Sequence, residues 1–173
     1  MNDQFFIPGQ PTGHRTPVPA RHGVSQQSGS YTFGAEGSRL PITILRLGTP
    51  RKPNEGLRLG TVRRPPRGVP RADFAKRDFY DVWLPTLAPS EPLLKEAMST
   101  HDPHAVHPER AWRDFERKYR AEMKRPDAAH LLDTLSALSH QTNFSLGCYC
   151  ADESLCHRSI LRKLLAERGA EVV

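Results

Sequence analysis

The sequence predicts an α/β domain: a small, mostly parallel sheet with helices on both faces, covering residues 41–173 and preceded by a disordered or loosely attached tail over residues 1–40. Three observations carry that reading. Apolar or β-branched runs of strand length stand at residues 41–47, 57–62 and 144–150, each flanked on at least one side by glycine or asparagine. Between the second and third runs, and again after the third, apolar residues recur every three or four positions, as the buried stripe of a helix does. Composition also changes near Leu40, before which Gly, Pro, Ser, Gln and Thr dominate without a sustained period.

Taken in order, residues 1–40 hold too little apolar surface to offset the entropy of ordering them. Tyr31-Thr32-Phe33 is the one candidate edge strand there, and His14, Arg15, Arg21 and His22 read as a solvated basic tail. The first strand, 41–47, closes at Gly48, and the second, 57–62, follows the Asn54-Glu55-Gly56 turn. Residues 63–71 hold three prolines and a glycine among arginines, so they form a basic loop at a strand's C-terminal end. Arg63 and Arg67 there offer guanidiniums that fork onto carboxylate or phosphate; a solvated connector is the alternative. Ser90 is an N-cap for a helix to about Met98, with Leu93, Leu94 and Ala97 inward. His101, Asp102, His104 and His107 read as an exposed loop and not a metal site, because Pro103 and Pro108 deny them a helix face. Residues 109–123 form the strongest helix, burying Trp112, Phe115, Tyr119 and Met123. A further helix, 127–140, buries Leu131, Leu132, Leu135 and Leu138 and delivers the chain to the third strand.

That strand opens the stretch where chemistry concentrates. All three cysteines lie within it, at Cys148, Cys150 and Cys156, followed by His157, Arg158 and Ser159. The acidic loop Asp152-Glu153 separates strand from helix, whose stripe is Ile160, Leu161, Leu164 and Leu165 with Gly169 as its cap. A strand feeding a helix N-terminus is where ligands bind in open α/β sheets, since free amides and the positive dipole end converge there.

Cys150, the acidic loop and Cys156-His157-Arg158 resemble the bacterial domain-of-unknown-function family 488, the YeaO-like proteins. So do Arg63 with Pro66-Arg67-Gly68, the Trp83-Leu84 and Ala88-Pro89-Ser90 stretch, His101-Asp102-Pro103, and Tyr119-Arg120-Ala121-Glu122. The resemblance spans roughly residues 42–165 and departs at Val62, where an acid is usual, and at Pro65, where Trp is usual. It implies a fold and a site that Tyr119 or Arg120 approaches, but no reaction.

Net charge is +6, which favours anionic partners: a small anion or nucleotide, or nucleic acid. No run approaches the roughly 18 apolar residues that cross a bilayer. Phe5-Phe6-Ile7 meets Pro8 and Gly9 at once, unlike an export signal, so three clustered cysteines point to a reducing cytoplasm and not to a disulfide framework. A thiolate is the reactive form of cysteine, and a helix N-terminus, arginine and imidazolium all favour it. The sequence therefore predicts a cysteine-dependent transferase or hydrolase, or an enzyme-like binder, acting on a phosphate- or nucleotide-like ligand. Cys150 and Cys156 are the nucleophile candidates, and His157 is the acid, base or orienter. Arg63, Arg67, Arg158 and Ser159 hold the anion, and Asp152 or Glu153 fixes His157 or a ribose hydroxyl. Arg158 does not fall six residues after Cys150, which argues against a plain tyrosine-phosphatase loop, and the sequence does not identify a cofactor. Two alternatives stand: a non-catalytic nucleotide- or nucleic-acid-binding module, and a structural zinc site built from Cys148, Cys150, Cys156 and His157.

Overall fold

A computed structural model describes residues 42–100 and 108–173. The tail reading for 1–40, the Tyr31-Thr32-Phe33 strand and the exposed histidine loop at 101–107 lie outside the described residues. The elements run β1 (Thr43–Arg46), β2 (Leu57–Gly60), β3 (Val82–Trp83), α1 (Glu91–Thr100), α2 (Pro108–Glu122), α3 (Pro126–Leu138), β4 (Phe144–Cys148) and α4 (His157–Ala166). The four strands form one sheet in the order β1-β4-β2-β3, every pair parallel. Residues 63–70 form no regular element, as their prolines dictate, and lead into a three-residue 3-10 turn at Arg71–Asp73.

Register fixes the two faces. Ile44, Leu146 and Leu59 stand in one row, and they join Ile42 and Phe144 in a core to which all four helices contribute. Helix α2 supplies Phe115, Tyr119 and Met123, and α4 supplies Ile160, Leu161, Leu164 and Leu165. The next row holds Gly60 beside Gly147. A side chain at either would run into what lies on it, the Tyr80 ring over Gly60 and Leu47 over Gly147. This second face is closed by the chain between β1 and β3, so the α-helices flank one face where the sequence reading expected both. The connections on that side are too short or too rich in proline to carry a helix.

Two further differences have local causes. Leu138 is exposed (42 %), because Ser136 and Ser139 take the inward positions of α3 and its end. Their hydroxyls donate to Leu132 O and Ser136 O at 2.8 and 2.6 Å, so no polar group is left bare. The sheet also gains two pieces that no run of apolar residues announced. One is β3, and the other is Val172, bridged in parallel to Ile42 at the β1 edge.

Beneath the second face lies a buried ion pair. Arg58 is 0 % exposed; its Nε and Nη2 donate to Glu55 at 2.6 and 2.8 Å, and its Nη1 to Thr49 O and Asp78 O. Glu55 also accepts from Ser145 Oγ and the Lys52 amide. Burial pushes the Glu55 carboxyl up, but those hydrogen bonds, Arg58 first, outweigh it and hold the group at about 2. The pair ties the β1–β2 loop to β2 and β4.

Candidate functional site

The site forms where β4 ends and α4 begins. Cys148 closes β4, and Cys150 follows two residues on, so strand alternation sends both side chains the same way and brings their sulfurs to 3.6 Å. The loop between strand and helix is held by its own side chains. Asp152 accepts from the Ser154 amide and hydroxyl at 2.8 and 2.7 Å, and Glu153 pairs with Arg162 at 2.8 Å. Cys156 then occupies the N-cap in extended conformation, and its carbonyl accepts from Ser159 Oγ. Folded this way, the three thiol sulfurs lie within 4.8 Å of one another, the one group of histidine, cysteine and acidic side chains among the described residues placed to hold a metal ion.

Around Cys156 the chemistry becomes directional. The side chains of Cys156, His157 and Arg158 meet although they are sequence neighbours at a helix start. Cys156 Sγ lies 3.7 Å from His157 Nδ1 and 3.4 Å from Arg158 Nε, and Arg158 Nη2 donates to Cys150 O at 2.8 Å. His157 Nε2 faces the Thr61 carbonyl at 2.8 Å. A carbonyl only accepts, so Nε2 donates to it and Nδ1 is turned to the sulfur, where it favours the thiolate only when it carries a hydrogen as well. Thr61 therefore orients His157, the role the sequence reading gave to Asp152 or Glu153. Tyr119 packs its ring edge-on to the imidazole, 5.6 Å between centroids.

Arg158 is 2 % exposed, and no carboxylate pairs with it among the described residues. A buried guanidinium needs a counter-charge; its hydrogen-bonded neighbour is the Cys156 sulfur, and the Asp152 carboxylate adds a longer-range attraction. Cys156 itself is pulled well below an ordinary thiol: hydrogen bonds from Cys148 and Cys150 outweigh burial, and the His157 contact adds to them. The same bonds, with burial, push Cys148 up. In Cys150 the bond with Cys148 favours the thiolate, but Cys156 and burial outweigh it and raise the group. Within the cluster these directions favour a negative charge on Cys156, with Cys148 and Cys150 as the thiols that face it.

A cleft of about 1200 Å³ opens over this cluster at the C-terminal ends of β2 and β4. Of the predicted residues, Cys150, His157, Arg63 and Arg67 line it. Cys150 is the exposed thiol of the three. Cys156 and Arg158 stand behind the wall, and Asp152, Glu153 and Ser159 brace the loop and helix start. Arg63 donates to Pro89 O and Ala88 O at 2.9 and 2.6 Å, which fastens the cleft's far wall, whereas Arg67 is exposed with no partner among the described residues. The far wall is secured twice more from α2: Tyr119 Oη donates to Leu87 O, and Glu122 accepts from the Ser90 amide. Arg120 points elsewhere, to Glu116 and Glu167.

Sequence reasoning missed Thr61 and Lys95. Thr61 was hidden inside a strand reading, and only its position one residue past β2, at a strand's C-terminal end, hinted at a site role. Lys95 lay on a helix face with no period of its own.

No curated protein and no solved structure gives a significant match. A family model described as the active DUF488-N3 subclade matches residues 42–169. That span covers more than half of the chain and takes in both walls of the cleft and the whole thiol cluster, so the chain belongs to the DUF488 family.

Proposed function

We propose that the cleft binds a small anionic, phosphate- or nucleotide-like ligand and that Cys150 attacks it, with Cys156 as the base behind. The observation that carries this reading is the buried Arg158 hydrogen-bonded to a cysteine sulfur, placed behind the exposed thiol of an arginine-edged cleft. In the step envisaged, the proton of Cys150 moves to Cys156, an uphill transfer that keeps the Cys150 thiolate a small but pH-independent fraction of the cluster, and Cys150 Sγ then bonds to an electrophilic carbon or phosphorus. The leaving group departs with the bonding electron pair and takes that proton, directly or through His157 Nδ1. Water or an acceptor then releases the transferred group, which makes the protein a hydrolase or a transferase. The description of the matched subclade as active names no reaction.

The test is iodoacetamide labelling read by peptide mass spectrometry across pH. Because the cluster already carries its charge, labelling of Cys150 should stay nearly flat between about pH 6 and 8. In Cys156→Ser it should instead rise about tenfold per pH unit, as a lone thiol does. Inorganic phosphate should slow labelling, and Arg67→Ala should weaken that protection. A wild-type rate that climbs tenfold per unit, or one that phosphate leaves untouched, contradicts the reading.

One observation favours a second reading: sulfurs 3.6 Å apart in a group of three fit the edge of a tetrahedral zinc site. Elemental analysis of protein purified without added zinc decides. The thiolate reading expects well under one equivalent and no change of Tm on chelation, whereas stoichiometric zinc lost in Cys150→Ser makes the cluster a metal centre.

A further inference from the structure

The cleft is built for more than an oxyanion. At about 1200 Å³ it would leave a bare phosphate in a mostly empty trough, since pockets of roughly 300–1,000 Å³ already take drug-sized ligands. Its charge is one-sided: Arg63, Arg64, Arg67 and Lys95 line it against the single carboxylate of Glu91, which pairs with Arg64 at 3.0 Å. Apart from His157 and the thiols, the remaining lining is mostly apolar, much of it rigid. Phe79 and Tyr149 meet edge to face, 6.0 Å between centroids, and Pro65, Pro66, Pro89 and Pro92 contribute conformationally stiff rings. From α1, Leu94 and Met98 add the only flexible apolar groups, and Met98 is 73 % exposed.

Rigid flat faces favour a rigid flat ligand. A ring stacked on them loses little rotational freedom, whereas an alkyl chain must freeze several torsions for the same contact. We infer that the ligand is a phosphate ester of a planar aromatic group, of the nucleoside monophosphate class. Its phosphoryl group lies on the Arg67 side chain and its neighbouring cations, and its ring lies against the proline and aromatic lining, covered by Met98. This rests on the reading of the cleft as an anion site and adds the other half of the molecule.

The experiment measures how five probes protect Cys150 from iodoacetamide and shift Tm: adenosine monophosphate, inorganic phosphate, hexyl phosphate, adenosine and a short single-stranded oligonucleotide. Adenosine monophosphate should protect at a concentration about tenfold or more below that of either inorganic or hexyl phosphate. Met98→Gln, at a position exposed enough to leave folding intact, should erase much of that advantage and leave the effect of inorganic phosphate unchanged. If inorganic or hexyl phosphate equals the mononucleotide, the aromatic half of the ligand is wrong and the anion reading survives. If adenosine protects as well as its phosphate, the anion reading falls and a neutral aromatic slot remains. If a short single-stranded oligonucleotide binds far more tightly than the mononucleotide, the ligand is nucleic acid and the inference is overturned. Protection by none of them removes both.

Discussion

Two arginines are buried against the same small sheet, and they are buried differently. Arg58 (0 % exposed) has a carboxylate for a counter-ion and two carbonyls for its remaining donors, and the Gly48–Tyr80 side of the sheet closes over it. Arg158 (2 % exposed) has a cysteine sulfur and one carbonyl, and the thiol next to that sulfur opens into a cleft. A sealed guanidinium–carboxylate pair fixes loop to strand and has no chemistry left to offer. A guanidinium that stabilises a thiolate stores a polarizable, transferable charge at the edge of a binding site. The contrast separates architecture from function more sharply than burial does, since burial is the same in both.

The largest effect should come from breaking the sealed pair. Arg58→Ala and Glu55→Ala, made singly, each strand a buried charge and should cost about 3–5 kcal/mol. For a domain of this size that lowers Tm by roughly 10 °C. Arg58→Met with Glu55→Leu removes both charges at once and should recover most of the loss. A single variant melting with the wild type would mean that water already reaches the pair.

Acid titration sharpens the same contrast. The folded Glu55 carboxyl, held at about 2, lies below its ordinary 4.5. A depressed carboxyl stabilises the fold above the unfolded value and loses that contribution as pH falls through the folded one. Between about pH 4.5 and 2, the Tm of the wild type should therefore fall more steeply than that of Glu55→Gln. Parallel curves would assign the acid sensitivity to other carboxylates, such as Asp81, which is also depressed.

A smaller effect is expected at the open pair. Arg158→Met and Cys156→Ser should be coupled by about 1–3 kcal/mol in a double-mutant cycle, because each removes the other's counter-charge. Additive costs would make Arg158 a brace for the Cys150 carbonyl and nothing more.

How much of this could be read from the chain follows from the range of each interaction. Helix α2 was legible because Trp112, Phe115, Tyr119 and Met123 repeat at helical spacing, and β4 because its run is continuous and bounded. The cysteine cluster was legible because a strand, a short loop and a helix start are all local. The tilt of the Cys156, His157 and Arg158 side chains toward one another was not. Their positions about 100° apart on a helix argue against contact, and contact arises because Cys156 is an extended N-cap and not yet a helical residue. Thr61 and His157, 96 residues apart, meet only when β2 and β4 pair. Arg58 carries no sequence signal of burial, since its partner Glu55 sits in a turn three residues earlier and their pairing depends on how that turn folds back on β2. The inward serines of α3 escaped for a related reason: hydropathy scores a hydroxyl as outward-facing, while Ser136 and Ser139 satisfy theirs on their own backbone.

The central claim is that Arg158 faces a thiolate, and ultraviolet absorption sees thiolates directly. Difference spectra of wild type against Cys156→Ser should show one thiolate that is already present near pH 6 and stays constant to about pH 8. Cys150→Ser should retain that signal, because the charge sits on Cys156. If the signal appears only above about pH 8, at the titration of an ordinary cysteine, then Cys156 is a neutral thiol and Arg158 is buried for structure, as Arg58 is.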